Sequence, residues 1–216
     1  MLELRIAGRD FGQPVLGEVF ATIARGDRIC LLGPSGIGKT TLLNAIAGLD
    51  KSVPESAVIG REQLRVGYLF QEHRLLPWRT LHANLRLVGA SDDEAGTLLG
   101  QVGLAGYGHY LPDQLSLGMA RRAALARCLA VKPDLLLLDP IMAGELKALI
   151  AGILNSQPDM AMICVTHDGG DAEILANRLW YLDGKPARLQ WDDVLAEPGL
   201  VDGLLGRLRD LDLTGS

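Results

Sequence analysis

At 216 residues, with 48% hydrophobic and 22% charged side chains, the chain is long enough for one large α/β domain, or for such a core with a small subdomain. A formal net charge of -5 argues against a general nucleic-acid binder, whose counterion-releasing contacts need clustered Lys and Arg. No apolar run approaches the roughly 18 residues that would span a bilayer, and Met1-Leu2-Glu3-Leu4-Arg5-Ile6 alternates like a half-buried strand and not like a signal peptide, so a cytosolic place is expected.

Residues 1–32 read as short strands, punctuated by turns at Gly8-Arg9-Asp10 and Ala24-Arg25-Gly26-Asp27. Phe11, just before Gly12-Gln13-Pro14, is read first as a core aromatic, with stacking on a base as the alternative. The apolar run Ile29-Cys30-Leu31-Leu32 then leads into Gly33-Pro34-Ser35-Gly36-Ile37-Gly38-Lys39-Thr40-Thr41, and Leu42 to Gly48 continues as a helix. This is the full G-x-x-x-x-G-K-[ST] pattern in a strand–loop–helix setting, which predicts a phosphate-binding P-loop. Glycines let successive backbone N–H groups turn toward an anion, and the helix amino end adds its dipole. Lys39 supplies a mobile cation for β- and γ-phosphates, and the Thr40 hydroxyl is of the type that binds Mg²⁺.

Beyond a polar connector at Lys51–Ser56, strands are expected over Ala57–Gly60 and Leu64–Phe70. The second runs straight into Gln71, which is placed to carry a water or a metal ligand if the strand ends beside a phosphate site. From Leu81 to Val131 the composition turns helical, with Gly89, Gly96, Gly100, Gly103, Gly106 and Gly108 expected to break it into short pieces. Leu115-Ser116-Leu117-Gly118-Met119 opens an Ala- and Leu-rich helix to Ala130. That helix is read first as a plain Ser-capped core element, although its amino end is also available to an anion.

Leu135-Leu136-Leu137-Leu138-Asp139 is an apolar strand ending in a carboxylate, the mark of a buried parallel strand whose carboxyl edge faces a ligand crevice. Asp139 there can hold the water shell of a P-loop Mg²⁺. Ala161 to Asp168 repeats the design with His167 at its tip, which favours a site role over a core histidine. Arg178–Leu182 is a further strand, Asp183-Gly184 signals a turn, and an amphipathic tail from Trp191 to Ser216 closes the chain. Cys30, Cys128 and Cys164 each sit in an apolar segment without C-x-x-C spacing, so buried free thiols are expected.

In this order the motifs resemble those of the nucleotide-binding subunits of ATP-binding cassette (ABC) transporters, over nearly the whole chain. Gly33 to Thr41 is similar to Walker A, Gln71 to the Q-loop glutamine, Leu115 to Met119 to the LSGGQ signature, Leu135 to Asp139 to Walker B, and His167 to the switch histidine. Phe11 sits where the family's adenine-stacking aromatic lies. The resemblance implies a single α/β P-loop NTPase domain over 1–216. It would have a mostly parallel core sheet, an N-terminal antiparallel β subdomain and an α-helical subdomain near 72–128.

It also implies ATP and Mg²⁺ as cofactors, with Thr40, Gln71 and Asp139 around the metal and His167 near the attacking water. Ser116 and Gly118 would meet the γ-phosphate held by a second copy, most simply in a homodimer. Permease subunits would dock near Glu72–Thr80 on the cytoplasmic face of the inner membrane, with a solute-binding protein as an indirect partner and no nucleic acid. The Gln71–Pro77 string and the compact length look like subunits of small-solute importers, of thiamine, nitrate or sulfonate type.

Three positions depart from the family pattern. Leu117 replaces a signature glycine, Met119 replaces the polar residue that closes the motif, and Pro140 directly follows Asp139 where the family has a catalytic glutamate. The loop after it is shortened, leaving Glu145 as a substitute base only if it folds back to the γ-phosphate. Nucleotide binding with weak turnover is the alternative function these departures raise.

Overall fold

The computed structural model describes residues 1–10, 14–139, 144–166 and 169–195. Among them the strands are β1 (Leu2–Ile6), β2 (Arg9–Asp10), β3 (Pro14–Leu16), β4 (Val19–Ile23), β5 (Arg28–Leu32), β6 (Val58–Ile59), β7 (Val66–Leu69), β8 (Leu135–Leu138), β9 (Ala161–Val165), β10 (Arg178–Asp183) and β11 (Arg188–Val194). The helices are α1 (Lys39–Ala47), α2 (Leu81–Arg86), α3 (Asp92–Gln101), α4 (Leu117–Ala130), α5 (Gly144–Ser156) and α6 (Gly169–Leu175).

The central sheet has the order β11-β10-β5-β9-β8-β7. Strands β10, β5, β9, β8 and β7 run parallel, and β11 joins the edge antiparallel to β10. Every residue of β8 and β9 is buried, as expected for parallel strands covered on both faces. The period of two sorts their side chains into separate cores. Cys30, Leu136, Leu138, Met162 and Cys164 pack with α2 to α5, whereas Ile29, Leu31, Leu135, Leu137, Ile163 and Val165 pack with α1 and with Leu2, Leu4 and Ile6 of β1. A separate antiparallel sheet, β4-β1-β6, thus roofs one face of the parallel sheet. The three cysteines are buried and none is in a disulfide, and Cys30 and Cys164, paired across β5 and β9, bring their sulfurs to 2.9 Å.

The structure corrects the sequence reading in three places. Arg9 and Asp10 belong to a short strand paired with β3, where the Arg9 guanidinium bonds Asp50 at 2.6 Å, instead of forming a simple turn. The strands read over Ala57–Gly60 and Leu64–Phe70 narrow to β6 and β7: a 3₁₀ turn over Glu55–Ala57 takes up Ala57, and the Leu64 N–H closes the 3₁₀ turn Arg61–Gln63 by donating to the Arg61 carbonyl at 3.0 Å. Gly96 and Gly100 lie inside α3 and do not break it. Each glycine costs a helix about 1 kcal/mol relative to Ala, but buried Ala95 and Leu99 anchor the neighbouring face and a reciprocal Ser91–Glu94 capping box fixes the start.

Glu94 also pairs with Lys132 beyond α4 at 2.6 Å, and its hydrogen bonds to Lys132 and Ser91 lower its pKa to about 2. A depressed carboxyl pKa contributes stability that is present above the ordinary value near 4.5 and lost as pH falls toward 2. The melting temperature of Glu94→Gln is therefore expected to lie below wild type at pH 7 and to converge with it as the pH is lowered through that window. A pH series of thermal melts checks this.

Candidate functional site

The carboxyl edge of the parallel sheet gathers the polar groups. Strand β5 lies between β9 and β10, and its end passes into the loop Gly33–Gly38 before α1 begins at Lys39. Gly33 has φ 146, and a Cβ there would run into the carbonyl oxygen of Leu182 on β10, so the bare backbone lets the loop leave the sheet at this point. Ile37 N–H reaches back to Pro34 O at 3.4 Å, and Gly38, at φ 110, turns the chain into the helix. The first helical bond runs from Leu42 N–H to Gly38 O at 2.9 Å, leaving the amides of Lys39, Thr40 and Thr41 outside the helix's own ladder. No side chain caps this end and no acidic residue occupies its first turn, so nothing in α1 itself offsets the positive dipole end.

Lys39 is 6% exposed, and its ammonium donates to the carbonyls of Gly33 and Pro34, each at 2.7 Å. Burial pulls its pKa below the usual lysine range, and the charge of Asp139 opposes that shift. Asp139, 8% exposed, follows β8, so the two charges meet at the sheet edge although 100 residues of sequence separate them (139 minus 39). Gln71 follows β7, the next strand over, and is exposed, as is Thr40 in the first turn of α1. A hydroxyl, an amide oxygen and a carboxylate on one edge are the oxygen donors that a hard divalent cation takes, so the residues fit Mg²⁺.

Ser116 and Gly118 stand elsewhere, at the exposed amino end of α4. The Ser116 hydroxyl accepts the Met119 N–H at 3.2 Å, the capping role expected of it. Leu117 projects beside them at 62% exposure, where a glycine would leave bare backbone. Glu145 is exposed in the first turn of α5. Phe11, Pro140 and His167 lie outside the described residues.

The sequence reading missed Tyr68. Its phenol donates to Asp139 Oδ2 at 3.5 Å, and burial together with the Asp139 charge raises its pKa well above the usual phenol range. Its position near the end of β7, three residues before Gln71 and on the same face as Phe70, was the available signal, since β-strand side chains repeat every second residue.

This edge, with its glycine loop, helix amino end, buried lysine and facing carboxylate, defines a P-loop nucleotide-binding domain. Comparison with known proteins narrows the class. The family model described as ABC transporter matches residues 16–143. An aliphatic sulfonates import ATP-binding protein of Burkholderia cenocepacia is 41% identical over 206 residues, covering 88% of this chain and 76% of that protein. One from Pseudomonas aeruginosa is 40% identical over 211 residues, covering 88% and 84% respectively. Among solved structures, the dimeric structure of MJ0796, a bacterial ABC transporter cassette, superposes with a TM-score of 0.76 at 24% identity, covering 91% of this chain and 100% of that one. A post-hydrolysis state of the same cassette, bound to ADP and Pi, gives 0.74 at 25% identity, with the same coverage. The chain belongs to the ABC transporter family and has the fold of its ATPase cassettes.

The two loop glycines respond to different constraints. Gly33→Ala meets a backbone carbonyl that moves only with β10 and is expected to lose about 3 kcal/mol of unfolding free energy. Gly36, at φ 75 with nothing within 4 Å of a Cβ, is strained only by its left-handed backbone, so Gly36→Ala is expected to lose about 1 kcal/mol. Urea titrations of the two variants check the order.

Proposed function

We propose that the chain is the ATP-binding subunit of an ABC importer for a small solute, acting as a homodimer on the cytoplasmic face of the inner membrane. The observation that carries this reading is the buried Lys39 ammonium at the amino end of α1, facing Asp139 across the sheet edge. Membership of the family and relatives named for aliphatic sulfonates import support the importer assignment and make an organosulfonate the first solute to try.

In this reading the amides from Gly33 to Thr41 cradle the phosphates of ATP, and Lys39 exchanges the Gly33 and Pro34 carbonyls for phosphate oxygens. Phe11 stacks on the base. Thr40, Gln71 and Asp139 hold Mg²⁺, which supplies charge neutralisation for the β- and γ-phosphates when bound. Ser116 and Gly118 of one copy complete the site of the other, and His167 orients the attacking water. The residues near 72–128 form the helical subdomain, and the segment Glu72–Thr80, with Trp78 at 71% exposure, offers the permease-facing surface. Among the described residues no helix is long and apolar enough to cross a membrane, which suits a peripheral subunit.

A second reading, nucleotide binding with little turnover, is favoured by two particulars. Pro140 occupies the place of a general base, a contribution typically worth some 10²- to 10⁴-fold in rate, and the Leu117 side chain crowds the backbone that would approach phosphate. Steady-state ATPase assays on wild type, Lys39→Ala and a variant with glutamate inserted between Asp139 and Pro140 separate the readings. A wild-type rate above that of Lys39→Ala supports the active subunit. A wild-type rate equal to that control, raised at least tenfold by the insertion, supports the second.

A further inference from the structure

The loop between Gln71 and Leu76 has no ladder of its own, yet its backbone is held at several points. The Arg127 guanidinium, reaching from α4, donates to the carbonyl of Arg74 at 2.7 Å and to that of His73 at 3.3 Å. Arg74 sits at φ 47, a conformation that L side chains seldom adopt, and the fork closes on that residue's carbonyl. One residue further, Leu75 N–H donates to His73 Nδ1 at 3.2 Å. Fully buried Asn84 then grips Leu76 through its amide N–H at 2.8 Å and its carbonyl at 3.2 Å.

The attachment continues in the other direction. The Arg74 guanidinium lies 3.6 Å from the centre of the Phe70 ring, Phe70 stacks on Tyr68 at 4.0 Å with 17° between planes, and Tyr68 donates to Asp139. A continuous set of contacts thus runs from α4, the helix capped by Ser116, through the loop that begins at Gln71, to the carboxylate opposite Lys39. The links are direct contacts, most of them between planar groups with few alternative arrangements and the Tyr68–Asp139 bond the longest of the hydrogen bonds at 3.5 Å, so displacing one end displaces the next.

We propose that Arg127 is a positioning residue that straps the 71–76 loop to α4, so that the helix carrying Ser116 and the loop carrying Gln71 move as one body, with the Arg74–Phe70–Tyr68 stack extending the strap to Asp139. The functional meaning of the strap rests on the proposed nucleotide site, but its existence does not. Arginine is suited to the task because its rigid planar fork bonds two successive carbonyls at once, whereas a lysine ammonium at the same place would hold one as a point charge.

Hydrogen exchange with mass spectrometry on the full-length protein tests it. Without nucleotide, Arg127→Ala is expected to exchange the amides of Leu75 and Leu76 roughly tenfold faster than wild type, with α4 amides changed less than about twofold. Arg127→Lys should fall between the two, and it decides the matter alone if Arg127→Ala does not fold. Unchanged exchange at Leu75 and Leu76, or acceleration spread equally over α4, would overturn the proposal, the latter because Arg127 would then only stabilise its own helix. Adding MgATP to wild type should alter exchange at residues 73–76 and at 116–119 together, and in Arg127→Ala only the 116–119 response should remain. Absence of any MgATP response at residues 33–41 of wild type would count against nucleotide binding, while the nucleotide-free comparison still decides the strap.

Discussion

The geometry of the site depends on one buried cation. Lys39 lies among the sheet-edge residues at 6% exposure, so its ammonium has to be met by oxygen, and the loop folds two of its own carbonyls onto it. That arrangement requires a loop with little side-chain bulk, a strand end that can pass close to β10, and a carboxylate near enough to favour the charged form. Gly33 satisfies the second, at the contact with Leu182, and Asp139 the third. Phosphate is a better partner for the same ammonium than a neutral carbonyl, because the bond becomes charge-assisted on both sides. A structural requirement of the folded chain and the proposed binding of a nucleotide therefore draw on the same group.

Binding and turnover make different demands. The proposed binding draws on the loop, the helix end and Lys39, and the fold brings all three together. Turnover, in the proposed reading, would need a base after Asp139 and a close approach of a second copy's backbone at the amino end of α4, and the chain carries Pro140 and an exposed Leu117 at those places. The contacts on Asp139 sharpen the contrast. Its carboxylate accepts from the Tyr68 phenol, a group whose pKa is raised and which therefore serves as a hydrogen-bond donor, not as a base, at neutral pH.

Much of the fold was legible because local pattern and tertiary burial agree. The apolar runs of β5, β8 and β9 are buried on both faces, the glycine loop sits between β5 and α1, and Asp183-Gly184 ends β10 before β11 returns. Legibility failed where long-range contacts decide. Arg9 reads as a turn residue until Asp50 and β3 are in place, and the facing of Cys30 and Cys164 follows from strand order, which spacing does not encode. The same holds for Tyr68 and Arg127. The first is an ordinary strand aromatic in sequence, and the second lies in a helix whose Ala-rich pattern says nothing of a loop 53 residues earlier. Gly96 and Gly100 show the converse error, in which local propensity was outweighed by a capped, anchored helix.

Whether the loop at the end of β5 binds a nucleotide through Lys39 is decided by isothermal titration of MgATP into the wild-type protein and into Lys39→Ala. Saturable binding at one nucleotide per chain is expected, weakened roughly tenfold to a hundredfold in the variant, the range for losing a charge-assisted bond to phosphate. Equal affinity in the two proteins, or no binding to either, would contradict it.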